Sequence, residues 1–262
     1  MLIRSWNVFH GNTVPVGRAS ALGEMLARVA ADGVDVFCAQ ELPASALRRF
    51  TCASLAARPS VGPFPIPAPA GGWLTHLHHG LLRSAFAGQG NGIMLGPRLE
   101  LLSTATLVLN PRRLRDREAL RLGLSARARL AWAHERRTVH AARVRLPDGR
   151  TMLVANAHCT SYAADTRLAG AELLRAASFA RSTADTGDVV VLAGDFNQTF
   201  ADSPVLRSLC SDDWGFSGAG PGIDHVLVHG ASATAVRVLP DDWRRHGDAL
   251  LSDHAPVEVE IE

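Results

Sequence analysis

The chain contains no lysine. All 27 of its basic residues are arginine, set against 25 acids for a net charge of +2. A GC-rich genome replaces lysine with arginine, so this absence alone assigns no function. No run of about 18 apolar residues without charge occurs, so nothing reads as a membrane span. The opening MLIRSWNVFHGN lacks the apolar middle and cleavage site of a signal peptide. It alternates like a strand from Leu2 onward, and the expected location is cytoplasmic. The four cysteines, Cys38, Cys52, Cys159 and Cys210, show no C-x-x-C spacing, which argues against a zinc ribbon or a disulfide framework. Aromatics are few, with nine Phe, five Trp and one Tyr, so base stacking is not signalled. Outside residues 58–90 no short repeat or low-complexity tract interrupts the chain.

What is present suits one large domain over residues 1–262, since 262 residues that are 47% apolar suffice for a full core. The arginines are unevenly spread. Residues 112–150 hold twelve of them against Asp116, Glu118, Glu135 and Asp148, a local excess of +8 that leaves −6 for the rest. A basic surface there would favour an anionic substrate, phosphate above all. Part of the run also reads as the solvated face of a helix near 112–121.

Strands are expected at 2–9, 34–40, 91–96, 99–109, 137–146, 151–157, 188–194, 223–229, 233–239 and 255–261. Helices are expected near 18–32, 43–57, 165–182 and 203–210. The third helix would bring Leu168, Leu173, Leu174 and Phe179 near one face. LPDGR at 146–150 is a hairpin turn. Residues 58–90 differ in kind. ARPSVGPFPIPAPAGG holds five prolines, which fix extended, non-helical chain. WLTHLHHG follows, and the whole reads as a long surface insert. Its histidines, His76, His78 and His79, could bind a transition metal, or line the rim of a cleft, or face solvent. Ten strands and four helices in mixed order predict a two-sheet core with helices outside.

Several strands end in groups that a plain turn does not need. SWN ends at Asn7 and FCAQE at Glu41. LVANAH ends with Asn156 and His158, and VVLAGDFN with Asp195 and Asn197. GIDHV carries Asp224 and His225, and LSDHAPVEVEI opens with Asp253 and His254. On extended backbone Asp195 and Asn197 would point to one face. Any one such break is more often a structural polar group, but the set is hard to explain as caps and turns. Carboxylates and amides are hard oxygen ligands, suited to Mg²⁺ or Mn²⁺. Glu41 is the best single ligand candidate, with Asn7 beside it. A metal there would polarise a phosphoryl oxygen. An acid or histidine would take a proton from water, and an amide would orient it. Asp224 would hold the ring of His254.

SWNVFHG, CAQE, NAHCTS, GDFN, IDHV and SDHAP, in this order over residues 2–261, resemble the motifs of the endonuclease/exonuclease/phosphatase superfamily. The resemblance implies an α+β fold of the deoxyribonuclease I-like type, a four-layer αββα sandwich of two packed mixed β-sheets flanked by helices. It implies a metal-dependent phosphoric ester hydrolase with Mg²⁺ (or Mn²⁺). By the same resemblance Asn7 and Glu41 match metal-site positions and Asp253 a further ligand. His158 matches the histidine that stabilises or protonates at the phosphate. Asp195 and Asn197 match the pair that positions or activates the nucleophile. Asp224 matches the acid that orients His254 at the scissile phosphate. His254 is the favoured base. His225 falls on the opposite strand face. Arg136, rather than Arg137, is the arginine selected to clamp a phosphate.

The expected partner is a phosphate-ester substrate, with nucleic acid and a phospholipid headgroup both open, and the expected state is a monomer. The rival reading is a catalytically inactive anion- or nucleic-acid-binding module on the same scaffold, against which the intact polar positions count.

Overall fold

The computed structural model describes the chain except residues 18, 58–59, 62–63, 66–87 and 135. Most of the expected insert, with His76, His78 and His79, therefore lies outside the described residues.

The first half runs β1 (Leu2–Asn7), β2 (Thr13–Val14), α1 (Leu22–Ala31), β3 (Val36–Leu42), β4 (Cys52–Ala57), β5 (Ser60–Val61), β6 (Phe64–Pro65), β7 (Gln89–Leu95) and β8 (Glu100–Val108). Helices α2 (Arg112–Arg121) and α3 (Ala126–His134) follow. Then come β9 (Thr138–Arg145), β10 (Thr151–His158), α4 (Arg167–Thr183), β11 (Val189–Asp195), α5 (Pro204–Leu209) and β12 (Asp224–His229). The chain closes with β13 (Arg237–Val238), β14 (Arg245–His246), β15 (Ala249–Leu251) and β16 (Val257–Glu260).

Two mixed sheets form the centre, in the orders β13-β16-β1-β3-β7-β4 and β12-β11-β10-β9-β8. β1 pairs parallel with β3, and β10 parallel with β11; the remaining neighbours in both sheets are antiparallel. The inner faces bury Ile3, Val36, Cys38 and Val257 against Met152, Val154, Val191 and Val226. The outer face of the first sheet packs Trp6 and Phe37 on Met25 and Val29 of α1. The outer face of the second packs Leu153 and Leu192 on Leu173, Ala176 and Ala180 of α4. These are the four layers the sequence predicts. Leu192 is fully buried, and Leu192→Ala would cost about 2–5 kcal/mol through lost burial and the cavity left behind.

The expected helix at 43–57 does not form. Residues Ala44–Arg49 make a short 3-10 turn, and Cys52–Ala57 pairs with β7 as β4. The reason lies across the strand. Gly92 has no side chain, and a Cβ there would sit 2.7 Å from both Leu42 and Phe50. Sheet pairing with these glycines overrides the helical propensity of an Ala- and Leu-rich stretch. The expected strand 233–239 shrinks to Arg237–Val238, with Ala233 bridging Ile261. Helix α3 was not expected at all. In α4 the buried stripe is Leu168, Leu173, Ala176, Ala177 and Ala180, while Leu174 is exposed.

Side chains alternate between faces along a strand. On β10 the inner series is Met152, Val154, Asn156 and His158; on β11 it is Val189, Val191, Ala193 and Asp195. Both series are apolar at one end of the sandwich and polar at the other. Asn156 starts the change: its amide donates to Ala39 O and Gly92 O across the core, and Gln40 donates to Asn156 Oδ1. One step further along the same parity the site begins.

Candidate active site

Asp195 is the centre of the site. It ends β11 and pairs in register with His158 of β10 and Asp224 of β12. Gly194 makes this approach possible. With φ at +147°, a Cβ there would fall 1.8 Å from Ala157 O, so only glycine fits. Asp195 Oδ2 accepts from Asn7 Nδ2 at 3.0 Å, with His158 Nε2 at 3.6 Å and His254 Nε2 at 3.8 Å. Asp195 Oδ1 accepts from the backbone N–H of Asn197 at 3.0 Å.

Asn197 does not share the face of Asp195 by strand alternation. The strand stops at Asp195, and Asn197 turns left-handed at φ 51°, a conformation asparagine tolerates. Its amide donates to Cys159 O at 3.0 Å, which leaves Oδ1 as an acceptor.

His254 is held on two sides. Its Nδ1–H donates to Asp224 Oδ2 at 2.7 Å. Its backbone carbonyl accepts from the Trp6 indole at 2.9 Å, and its N–H donates to Ser252 Oγ. Ser252 Oγ in turn donates to Asn7 O at 2.6 Å. The SWN and SDH motifs are thus tied to each other directly, and Trp6 and Ser252, to which the sequence assigned no role, fix the loop. Burial works to lower the His254 imidazole, but the hydrogen bond and charge of Asp224, with Asp195 and Asp253, push it up to about 10. Asp195 is pushed up to about 7 by burial and by Asp224. The charge of each favours the ionised form of the other.

His158 has a different setting. Gln89 Nε2 and Arg137 Nη1 each lie 3.0 Å from its Nδ1, and both are donors. Arg137 Nη1 also lies 3.3 Å from Nε2, so the assignment follows from Gln89 at Nδ1 and from the carboxylates of Asp195 and Glu41 beside Nε2: Nδ1 accepts and the ring proton sits on Nε2. Burial first, then Arg137, His254 and His10, hold the ring well below its usual range, so it is neutral. Arg136, the arginine selected from sequence, is exposed; its neighbour Arg137, which leads into β9, is the buried one. Gln89 was counted with the insert, but it opens β7 on the inner face. The polar QGNG before IML is the signal that could have found it.

Glu41 stands at the rim with a left-handed φ of 52°. His10 Nε2 lies 3.5 Å from its Oε2 and His158 Nε2 4.0 Å from its Oε1. Burial and the charge of the exposed Asp253 raise its carboxyl, against the lowering effect of a hydrogen bond from Asn7. Asn7 therefore turns its amide nitrogen toward both Glu41 and Asp195, while its Oδ1 accepts from Phe9 N–H. A carboxylate at the rim whose ionisation is opposed by burial and by the charge of a second one suits a hard divalent cation. Glu41 and Asp253 have the donors for it, and Asn7 could offer only the second lone pair of an oxygen already engaged. Asp195, Asp224 and His254 also lie close enough to share an ion. An ion there would compete for groups already joined by the 2.7 Å hydrogen bond.

The family description of endonuclease/exonuclease/phosphatase proteins matches residues 5–254, which takes in Asn7, Glu41, His158, Asp195, Asp224 and His254 together. The chain belongs to that family. Its members are phosphoesterases, nucleases and phosphatases among them, and generally use a divalent metal. Solved structures agree in fold. TDP2 of D. rerio complexed with a single-strand DNA product matches at 13% identity and a TM-score of 0.65, covering 100% of this chain and 98% of that one. A mannosyl-6-phosphatase of Bacteroides thetaiotaomicron matches at 14% and 0.60, covering 100% and 99%. A functionally unknown conserved protein of Enterococcus faecalis matches at 15% and 0.65, covering 100% and 99%. At these identities the likeness is one of fold. No curated protein matches in sequence. Among the described residues no helix is long and apolar enough to cross a membrane.

Proposed function

We propose that this protein hydrolyses phosphate esters with a divalent cation at Glu41 and Asp253. The observation that carries the reading is the convergence of Asn7, His158 and His254 on one oxygen of Asp195. A carboxylate ringed by donors, and bonded to the backbone N–H of Asn197, whose amide oxygen remains an acceptor, can hold and deprotonate a water. Bound there, Mg²⁺ or Mn²⁺ would supply charge neutralisation at the phosphoryl oxygens.

The proton assignment changes from the sequence reading. An imidazolium donates, so His254 is not the base while Asp224 holds it charged. Asp195 takes the proton as the water oxygen bonds to phosphorus, and the leaving oxygen departs with the electron pair of the broken P–O bond. His254 and the neutral Nε2–H of His158 hydrogen-bond to the phosphoryl oxygens as negative charge grows on them.

The arginine-rich stretch supports a compact substrate better than a long polyanion. Arg143 and Arg145 lie towards the far end of β9, with Arg150 in the turn beyond it, roughly 20 Å or more from Arg137. They are paired with Asp185 and Asp188, with Glu100 and with Asp148. Arg112, Arg117 and Arg121 pair with Asp116 and Glu118. Six of the twelve arginines are thus matched by acids. One structural neighbour is named as a sugar phosphatase and another holds a DNA product, so the fold itself accommodates both classes.

The test is release of p-nitrophenol from bis-(p-nitrophenyl) phosphate with Mg²⁺, Mn²⁺ or EDTA. Metal-dependent release supports the reading. No release with either metal, from folded protein, and from a panel of DNA, RNA, lipid and sugar phosphates alike, overturns it in favour of a binding module.

A further inference from the structure

Beside Asn197 the surface opens into a cavity of about 280 Å³, walled by the loop after β10 and the loop after β11. Its lining includes Thr160, Tyr162, Thr166, Asn197, Thr199 and Asp202. The two walls are fastened to each other. Asn197 Nδ2 donates to Cys159 O at 3.0 Å, and Gln198 Nε2 donates to Thr166 O at 2.6 Å. Ser203 Oγ holds the other end of Gln198 at 2.6 Å. Behind the first wall stands Glu172, fully buried in α4. It accepts from Thr160 N–H at 2.6 Å, from Thr160 Oγ at 2.8 Å and from the Trp132 indole at 2.7 Å. A buried carboxylate with three donors is a costly anchor, and here it fixes the floor of a cavity that touches the catalytic amide. The cavity is a built feature of the fold.

Its chemistry is one-sided. The chain has 27 arginines, yet among the described residues none lines this cavity. The one carboxylate among the described lining residues, Asp202, accepts from Thr199 Oγ at 2.7 Å. A second phosphate or a polynucleotide backbone would meet this acid and no counter-charge. Ala163 and Ile223 add apolar wall between the hydroxyls and amides, a mixture that a ring with both hydroxyls and C–H faces can cover. Tyr162, the single tyrosine of the chain, offers a half-buried aromatic face with a polar tip. The volume lies just under the usual range for sites that hold drug-sized ligands, which suits one ring and not a nucleoside.

We propose that this cavity binds an uncharged, hydroxyl-bearing ring of the phosphate ester, the size of one sugar. The proposal rests on the hydrolysis reading above and names the substituent that the site selects. The ring's hydroxyls donate to Asn197 Oδ1 and Asp202, and its apolar face lies on Tyr162. Asn197 then contacts both the water and the substrate.

The test uses the full-length protein with Mn²⁺ and a series of p-nitrophenyl phosphodiesters with one leaving group. The other substituent is methyl, glyceryl or a hexose joined through its 6-oxygen. The hexosyl ester should exceed the methyl ester in kcat/KM by about tenfold or more, chiefly through KM. Tyr162→Ala and, separately, Asp202→Arg should bring that ratio toward one, in proteins that melt like wild type. Equal kcat/KM for the methyl and hexosyl esters overturns the cavity assignment and leaves hydrolysis standing. If no ester is cleaved, the hydrolysis reading fails instead. The cavity is then decided by calorimetric titration of a hexose 6-phosphate against inorganic phosphate: tighter binding of the sugar phosphate by about tenfold sustains it, and equal binding overturns it.

Discussion

Asp195→Asn separates the charge of the central carboxylate from its shape. The new amide oxygen can still accept from the Asn197 N–H, as Asp195 Oδ1 does at 3.0 Å. Its NH2 then faces the NH2 of Asn7, so a buried hydrogen bond is lost at a cost of about 1–3 kcal/mol. Against that, a carboxylate that burial and Asp224 raise from 3.8 to about 7 is removed. A raised carboxyl helps stability in full only below its unfolded pKa, and the help disappears as pH rises through the folded value. Above pH 7 the wild type has lost about 4 kcal/mol relative to the acid limit, at 1.4 kcal/mol for each unit. The variant does not lose it. The difference in Tm, variant minus wild type, should therefore climb between pH 4 and pH 7 in EDTA, from negative toward zero or above. A difference that is flat or falls with pH would refute the electrostatic account. Turnover should fall by about 10²–10⁴-fold, or about 3–5 kcal/mol of barrier. Asn197→Gly deletes the amide and keeps the left-handed backbone relaxed, so it isolates the side chain. Alone it should cost about tenfold; in the Asp195→Asn background it should cost almost nothing, because the two act as a unit. Additive losses in kcat/KM at saturating metal would mean that they serve separate steps.

Three further outcomes are expected. Glu41→Gln should remove most activity, and wild type dialysed against EDTA should recover on adding Mn²⁺; full activity after exhaustive chelation would remove the metal from the account. Arg137→Ala should lower kcat/KM by about tenfold or more because it strips a charged, buried donor from His158, whereas Arg136→Ala should stay within about twofold, the usual result for an exposed side chain. Remote from the site, Arg143 and Thr151 hold the Asp188 carboxyl down at about 2. A depressed carboxyl gives stability above its unfolded pKa and loses it as pH falls through the folded value, so the charge lost in Asp188→Asn should cost roughly 2 kcal/mol at pH 7 and less than about 0.5 kcal/mol at pH 2. Equal losses at both pH values would show that packing, and not charge, is at work there.

The strand ends were legible in the sequence because each breaks an apolar run with a group that a turn does not need. Asp195, His158 and Asp224 lie where period-two alternation places them, on inner faces that pair in register. Asn197 was legible as a residue but not as geometry, since a left-handed turn leaves no periodic trace. The choice between Arg136 and Arg137 depended on where β9 begins, a boundary no local pattern fixes. Gln89 was hidden at the end of a proline-rich stretch whose composition points to loop. Trp6 and Ser252 act through backbone atoms some 245 residues away, which no local signal reports. The stretch 43–57 misled because its composition favours helix, while β7 across the sheet presents glycines that accept a strand.

The Gly194 contact gives the site a built-in parity check. Only glycine lets β11 meet Ala157 O, and only at that position does the polar end of one inner face meet the polar end of the other. If β11 slipped by one residue, Asp195 would turn toward the aliphatic layer beneath α4, and Leu192 would be thrust between the sheets. Such a mispaired chain would be silent as a catalyst and penalised as a fold by the same displacement. A point mutant that yields partial activity has therefore kept its strand register, and residual turnover can serve as a reporter of correct pairing in crude extracts where no spectrum can be taken.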